Sequence, residues 1–197
     1  MANVAADRDR RDFLLVSASV FPAVGTAIAM WPFIAQMKPD ANTLALANIE
    51  VDLKPVKPGQ AITVLWRGKP VFVRRRTPEE IAAAKAVPIA DLIDRVARNP
   101  GVAENAPASD ENRTKPGHEE WLVVIGICTH LGCVPQGQTP MQNRGDYGGW
   151  FCSCHGSQYD TAGRVRKGPA PANLGVPAYY FVNDAKIMIG PLAPTGA

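Results

Sequence analysis

Two short stretches of this chain decide its fold: CTHLGC at residues 128–133 and FCSCHGSQYD at residues 151–160. Together they contain all four cysteines and two of the three histidines of the 197-residue chain. Cysteine and histidine at this spacing are typical of metal ligands, and such soft or borderline donors hold zinc, an iron–sulfur cluster or copper. The two stretches therefore predict a metal site built from two loops.

The two stretches offer more donors than one four-ligand site requires. The six candidates are Cys128, His130, Cys133, Cys152, Cys154 and His155. Four ligands and one disulfide would use all six, and a disulfide indicates a domain that lies outside the cytoplasm. A purely structural zinc site is the alternative, but it would leave two cysteines without a purpose.

The order C-x-H-x-x-C and then C-x-C-H-G-S closely resembles the two cluster-binding boxes of Rieske iron–sulfur proteins. The sequence GPAP at residues 168–171, here named the proline loop, is similar to a loop of that family. With the N-terminal features described below, the chain resembles the Rieske subunits of bacterial ubiquinol–cytochrome c reductases, the cytochrome bc complexes (respiratory complex III).

The resemblance implies a mainly β fold. It consists of a single transmembrane helix and an antiparallel β-sandwich head with a small helical insertion and a cluster-binding subdomain at about residues 120–175. The content of 18 prolines and 17 glycines also favours a turn-rich β domain over a helical bundle.

The resemblance also implies one [2Fe–2S] cluster. Cys128 and Cys152 would bind one iron and His130 and His155 the other, while Cys133 and Cys154 would form the disulfide (all six residues from the two stretches). Neutral imidazoles in place of two thiolates make the oxidised site less negative. An electron is then added more easily, and the reduction potential of this class rises to roughly −150 to +300 mV.

Ser157 and Tyr159 follow the second set of donors. In high-potential members of the family, the serine hydroxyl donates to a bridging sulfide and the tyrosine hydroxyl to a cysteine sulfur. Such bonds stabilise the reduced cluster and raise its potential. The alternative is that Ser157 caps a turn and Tyr159 packs within a strand.

The N-terminal region has no Asp, Glu, Lys or Arg between residues 13 and 37. A bilayer core about 30 Å thick requires about 20 such residues in a helix. The segment could be a cleaved signal, a buried core helix or a permanent anchor. We predict an anchor, because the run is longer than a cleavable apolar region and lacks a polar face.

The sequence R-R-D-F-L at residues 10–14 resembles a twin-arginine export signal. With the nearby arginines it predicts a cytoplasmic N-terminus. The expected organisation is a cytoplasmic segment (1–12), an anchor (13–37), a flexible tether (38–48) and a periplasmic head (49–197) at the bacterial inner membrane.

Within the head, segments rich in β-branched and aromatic residues predict strands. They lie at residues 49–53, 61–66, 71–73, 121–127, 150–151, 179–182 and 186–189. A hairpin turn is predicted at residues 67–70.

The region between the predicted strands favours helix. Thr77, Pro78 and Glu80 form a capping-box pattern with proline at the first helical position, which predicts a helix over residues 77–87. A second helix is predicted over residues 89–98 and a polar surface loop over residues 102–117. The whole of residues 77–118 is expected to be a peripheral insertion.

The resemblance implies an electron-transfer subunit of an oxidoreductase. His155 would hydrogen-bond ubiquinol and take a proton, and the electron would pass to a c-type cytochrome, contributing to proton translocation. Leu131 would contact the cytochrome b subunit, within a dimeric complex. The alternatives are a Rieske subunit of another exported oxidoreductase, such as an arsenite oxidase, or a low-potential Rieske ferredoxin or oxygenase component. A formal net charge of only +3 does not indicate nucleic-acid binding.

Overall fold

The computed structural model describes residues 2–38 and 47–190, with side chains from residue 9 onward. Contacts divide the chain into two compact units, Met1–Leu44 and Ala45–Ala197. Most of the expected tether, at residues 39–46, lies outside the described residues.

The first unit contains one long helix, α1 (Ala2–Ala35), which includes Pro22 and Pro32. Its Asp9–Ala35 part is long and apolar enough to cross a membrane, and none of its most apolar 18-residue window is buried. A core helix of a soluble protein is mostly buried, so this exposure does not support the core-helix alternative. The helix begins well before Phe13, the first residue of the expected anchor.

The second unit is mainly β. In the described residues its strands are β1 (Ile49–Asp52), β2 (Ala61–Trp66), β3 (Lys69–Arg75), β4 (Trp121–Ile125), β5 (Gly148–Cys152), β6 (Ser157–Asp160), β7 (Val165–Lys167), β8 (Tyr179–Asn183) and β9 (Lys186–Ile189). They form three antiparallel sheets with the orders β1-β9-β8, β2-β3-β4 and β5-β6-β7. The predicted strands are confirmed, with small shifts at their ends.

β6 and β7 were not predicted. All four residues of β6 are buried and β7 has only three residues, so neither shows the alternation that identifies a strand.

The hairpin between β2 and β3 is tighter than predicted. Only Arg67 and Gly68 form the turn, with φ of 51° and 73°, and Trp66 pairs with Lys69. A two-residue turn with two positive φ values matches the right-handed twist of the strands. Lys69 and Pro70 therefore belong to β3 and not to the turn.

The first predicted helix of the head is confirmed as α2 (Pro78–Lys85). The Thr77 hydroxyl accepts the N–H of Glu80, and the Glu80 carboxylate accepts the N–H of Thr77. This reciprocal capping satisfies two amide groups that have no partner within the first turn.

The second predicted helix, residues 89–98, is wrong. A short 3₁₀ turn (Ile89–Asp91) is followed by extended backbone at Leu92, with φ −83° and ψ 139°. The buried carboxylate of Asp94 accepts N–H groups from Val96 and Asn173. Side-chain bonds of this kind compete with helical hydrogen bonds, and the chain continues without a helix.

The prediction of a surface loop at residues 102–117 is also wrong for part of that range. Asp110, Arg113 and Thr114 are buried, and Asp110 forms a buried ion pair with Arg76. Buried charges must be paired or hydrogen-bonded. This part of the insertion therefore belongs to the interior of the head and not to its periphery.

One hydrophobic cluster contains buried side chains from all three sheets. They include Ile187 of β9, Phe72 of β3, and Trp150 and Tyr159 of β5 and β6. The Phe72 and Trp150 rings stack with centroids 5.8 Å apart and planes at 11°. This contact fixes β5, and hence the loop that follows it, against the second sheet.

The close pairing of β5 and β6 generates a stability prediction. An added Cβ at Gly149 would overlap the carbonyl groups of Tyr159 and Asp160, whereas one at Gly175 would make an ordinary 3.6 Å contact with Ile125. We expect Gly149→Ala to lower the free energy of unfolding by about 1–3 kcal/mol or more, and Gly175→Ala to change it by no more than about 0.5 kcal/mol. Thermal unfolding of the full chain in detergent measures both, and equal melting temperatures would contradict the prediction.

Candidate metal centre

The two cysteine-containing loops are held at the ends of strands. The first loop, residues 128–133, comes shortly after β4, and the second loop, residues 152–156, connects β5 to β6. Each loop turns at a glycine with positive φ, Gly132 (85°) and Gly156 (79°), a conformation that favours glycine. In each loop the N–H of that glycine donates to the carbonyl of the loop's first cysteine.

The two loops are joined covalently by a disulfide between Cys133 and Cys154, separated by 21 residues in sequence. The sulfurs of these two residues and of Cys152 lie within 4.8 Å of one another. Three free thiolates so close together could bind a metal by themselves. Two of them are bonded to each other, however, so only Cys152 in this group can act as a thiolate ligand.

Cys128 and Cys152 are free, and both are buried. Burial raises the pKa of the Cys128 thiol. Hydrogen bonds from the Tyr159 hydroxyl and from the backbone N–H of His130, among others, lower that pKa by more. Burial raises the pKa of Cys152, and its hydrogen bond with Cys128 raises it further. The Cys128 thiol thus gives up its proton more readily than an ordinary thiol, which favours a thiolate ligand.

The two histidines lie next to each other. The ring centroids of His130 and His155 are 4.6 Å apart, with planes at 85°. His155 is exposed and His130 is half-buried. The Nδ1 atom of His130 is buried and has no hydrogen-bond partner among the described residues. A buried ring nitrogen without a partner is unfavourable unless it binds something else, and a metal ion would satisfy it.

Tyr159 connects the backbone of the first loop to a thiol. Its hydroxyl accepts the N–H of Thr129 at 3.3 Å and donates to the Sγ of Cys128 at 3.3 Å. Burial raises the pKa of Tyr159, as does the bond to Cys128. The phenol therefore keeps its proton and remains a donor to the sulfur.

Ser157 lies fully buried at the start of β6. Its oxygen accepts the N–H of Ala170 at 3.1 Å. A hydroxyl that accepts a bond in this way still has its own proton to donate. Ser157 also contributes to the lowered pKa of the Cys128 thiol. Both hydroxyls therefore lie near the Cys128 thiol, and the tuning role of Ser157 and Tyr159 stays a prediction.

Thr129 and the Ala170 amide were missed by the sequence analysis. The Thr129 hydroxyl donates to the carbonyl of Ala172 at 2.6 Å, and this contact ties the first loop to the residue after the proline loop. In the sequence, a role for Thr129 is indicated by nothing except its position between Cys128 and His130. Threonine is too common in loops for that position to identify a role. A backbone N–H such as that of Ala170 carries no sequence pattern at all.

The arrangement brings two free thiols and two imidazoles to the same pair of loops. In Rieske centres, two histidines replace two cysteines on one of the two irons of a [2Fe–2S] cluster. The lowered pKa of Cys128 and the unpartnered Nδ1 of His130 fit that donor set.

Comparison with known families agrees with this geometry. A family model described as the Rieske [2Fe-2S] domain matches residues 108–180. A second, described as the Ubiquitinol-cytochrome C reductase Fe-S subunit TAT signal, matches residues 1–40.

Curated relatives match nearly the whole chain. The ubiquinol-cytochrome c reductase iron-sulfur subunit of Rickettsia prowazekii is 55% identical over 181 residues, covering 92% of this chain and 93% of that protein. The subunit of the same name from Bradyrhizobium diazoefficiens is 55% identical over 190 residues, covering 96% and 98%. The chain belongs to this family of Rieske iron–sulfur subunits.

The Rieske assignment confirms the predicted cofactor class and the predicted function, electron transfer within an oxidoreductase. It decides against the zinc, ferredoxin and arsenite oxidase alternatives. The TAT segment and the apolar helix α1 fit a membrane-anchored subunit. A solved structure titled "Hyperthermophilic respiratory Complex III" shares the fold, with a TM-score of 0.50 and 23% identity, covering 87% of this chain and 97% of that chain.

The disulfide of this Rieske chain generates a second stability prediction. A cross-link that closes a 21-residue interval lowers the conformational entropy of the unfolded chain, which raises the free energy of unfolding by about 3 kcal/mol. We expect the double variant Cys133→Ser, Cys154→Ser to lose about that much free energy of unfolding while it keeps Cys128 and Cys152. Urea unfolding of the full chain in detergent measures the loss, and the parent chain treated with a thiol reductant is the matched control. A double variant as stable as the oxidised parent would show that the tie contributes nothing.

Proposed function

We propose that Cys128 and Cys152 bind one iron of the [2Fe–2S] cluster and that His130 and His155 bind the other. The observation that carries this proposal is the meeting of two buried free thiols and two adjacent imidazoles on loops joined by a disulfide. The cluster, when bound, takes up and releases one electron, and its two neutral imidazole ligands raise its potential.

His155 is the residue that meets the substrate, ubiquinol. It is exposed, whereas His130 is half-buried and its Nδ1 is shielded. The ring nitrogen of His155 that does not bind metal accepts a hydrogen bond from a quinol hydroxyl and takes its proton. A quinol gives up protons together with electrons, so a proton acceptor within hydrogen-bond reach is required at this position.

The exposed surface beside the loops is the docking surface for partner subunits. Leu131 is 70% exposed and Val134 is 55% exposed. Large apolar side chains exposed together are typical of interaction sites. This surface contacts the cytochrome b subunit during quinol oxidation, and a c-type cytochrome then receives the electron. The complex is a dimer.

The head lies on the periplasmic side of the bacterial inner membrane. Arg10 and Arg11 at the start of the apolar segment support a cytoplasmic N-terminus by the positive-inside rule. We assign residues 1–12 to the cytoplasm, 13–37 to the anchor, 38–48 to the tether and 49–197 to the periplasmic head. The disulfide supports this placement, because such bonds persist in the periplasm and are rare in the cytoplasm.

Electron paramagnetic resonance of membranes that contain the chain tests this function. We expect a Rieske-type signal after reduction with ascorbate alone, because a site that oxidises quinol must have a high potential. A signal that requires dithionite would contradict quinol oxidation. Zinc in the purified chain, with no signal under either condition, would overturn the proposed ligand set.

The hydroxyls of Ser157 and Tyr159 generate a quantitative prediction. Each bond to a sulfur that becomes more negative on reduction favours the reduced form by about 1 kcal/mol, or about 40 mV for one electron. We expect Ser157→Ala and Tyr159→Phe each to lower the potential by about that amount with the cluster retained, measured by redox titration.

Tyr179→Phe is the matched control for Tyr159→Phe. Tyr179 is as buried as Tyr159, but its hydroxyl has no hydrogen-bond partner among the described residues. Its removal should leave the potential unchanged. Equal potentials in the parent, Ser157→Ala and Tyr159→Phe would end the tuning role.

A further inference from the structure

Arg113 is a fully buried cation, and its hydrogen bonds with the described residues all go to backbone carbonyls. It donates to the carbonyls of Ala97, Ala162, Gly163 and Leu174. Among the described residues, no carboxylate forms a salt bridge with it. Burial lowers the pKa of Arg113 to about 10, so the side chain still carries its charge at neutral pH. A buried charge is unfavourable unless its donors are satisfied, and here they are satisfied by three separate parts of the chain.

Two of these parts are the two ends of one chain segment, residues 164–173, which contains β7 and the proline loop and is here named the loop segment. Ala162 and Gly163 precede the segment and Leu174 follows it. The N–H of Leu174 also donates to the carbonyl of Gly163 at 2.9 Å. Arg113 therefore binds both ends of the loop segment at the place where they meet.

Asp94 binds the C-terminal end of the loop segment, at Asn173. Its carboxylate accepts the N–H of Asn173 at 2.9 Å, and its carbonyl accepts the Asn173 side-chain amide at 2.9 Å. The Asn173 side-chain oxygen accepts the N–H of Val165 at 2.9 Å, which ties the two ends together again. Asp94 and Arg113 both come from the insertion for which the sequence suggested no chemistry.

The loop segment carries the amide that contacts Ser157. The N–H of Ala170 donates to the Ser157 hydroxyl oxygen. Because that oxygen is then occupied as an acceptor, the direction of the Ala170 N–H limits where the Ser157 proton can point. A shift of a few tenths of an ångström in the loop segment would change the strength of the bond that Ser157 donates, since such bonds depend steeply on geometry.

We propose that Arg113 and Asp94 are positioning residues for the metal centre: by fixing both ends of residues 164–173, they hold the Ala170 amide that orients the Ser157 hydroxyl. Neither side chain touches the thiols or imidazoles through a hydrogen bond in the described structure. Their effect on the reduction potential passes through Ser157. This inference rests on the tuning role proposed above for Ser157.

A double-mutant cycle tests the proposal in the full chain with its cluster. Arg113→Lys keeps the charge but loses the planar set of donors that reaches several carbonyls. We expect Arg113→Lys to lower the potential in the parent, and to lower it much less in a chain that already carries Ser157→Ala. Effects that act through one group are not additive, whereas independent effects are.

Hydrogen–deuterium exchange gives a readout that does not depend on the cluster. We expect amides of residues 164–173 to exchange faster in Arg113→Lys, while those of β2 and β3 keep their rates. Arg74→Lys is the matched control, because Arg74 is equally buried but bonds to Glu80 and the Gly137 carbonyl. It should change neither the exchange of residues 164–173 nor the potential.

Several outcomes would overturn the proposal. An unchanged potential in Arg113→Lys would do so, and so would an equal lowering with and without Ser157, or the same lowering in Arg74→Lys. An unchanged potential in Ser157→Ala alone would remove the tuning role of Ser157 and this inference with it. If Arg113→Lys does not fold, Asp94→Asn makes the same test, because its amide keeps one acceptor oxygen for the N–H groups of Val96 and Asn173, which the two carboxylate oxygens accept separately.

Discussion

The bond between Cys133 and Cys154 joins two loops that have no regular secondary structure of their own, and the geometry around the free thiols depends on it. The second loop is held at both ends by β5 and β6, whereas the first loop only follows β4. Beyond the two loops, the backbones of Gln136 and Phe151 exchange a pair of hydrogen bonds, which joins the chain after the first loop to β5. The covalent tie removes freedom from the unfolded chain, so the loops keep one arrangement without extensive contacts.

A short series of hydrogen bonds connects the fold to the sulfur of Cys128. The N–H of Thr129 donates to the Tyr159 hydroxyl, which donates to the sulfur. Tyr159 and Ser157 are fully buried, and in a site with little water such bonds are stronger and each unmade bond is more unfavourable. The thiol environment is therefore set by groups on three different segments, namely the first loop, β6 and the proline loop.

Buried arginines fix this part of the head to the rest of the domain. Arg164 pairs with Asp160 and also donates to the carbonyls of Ala84 and Ala108. Arg113 holds the two ends of residues 164–173, and its hydrogen-bond partners among the described residues are backbone carbonyls. Buried ion pairs add little stability compared with apolar packing. Their contribution here is positional, because each planar guanidinium holds several backbone segments at fixed distances.

The sequence by itself predicted the candidate donor residues, and it determined the apolar N-terminal segment, most strands and the capped helix α2. Each of these depends on residue type and short spacing, which a sequence states directly. Only the tertiary structure decided the strands β6 and β7, the absence of the helix at residues 89–98 and the carbonyl partners of Arg113. Asp94 finds the Asn173 amide 79 residues away, and the partners of Arg113 are backbone carbonyls. A carbonyl is the same at every residue, so no pattern in the sequence can mark the ones that folding brings to a buried charge.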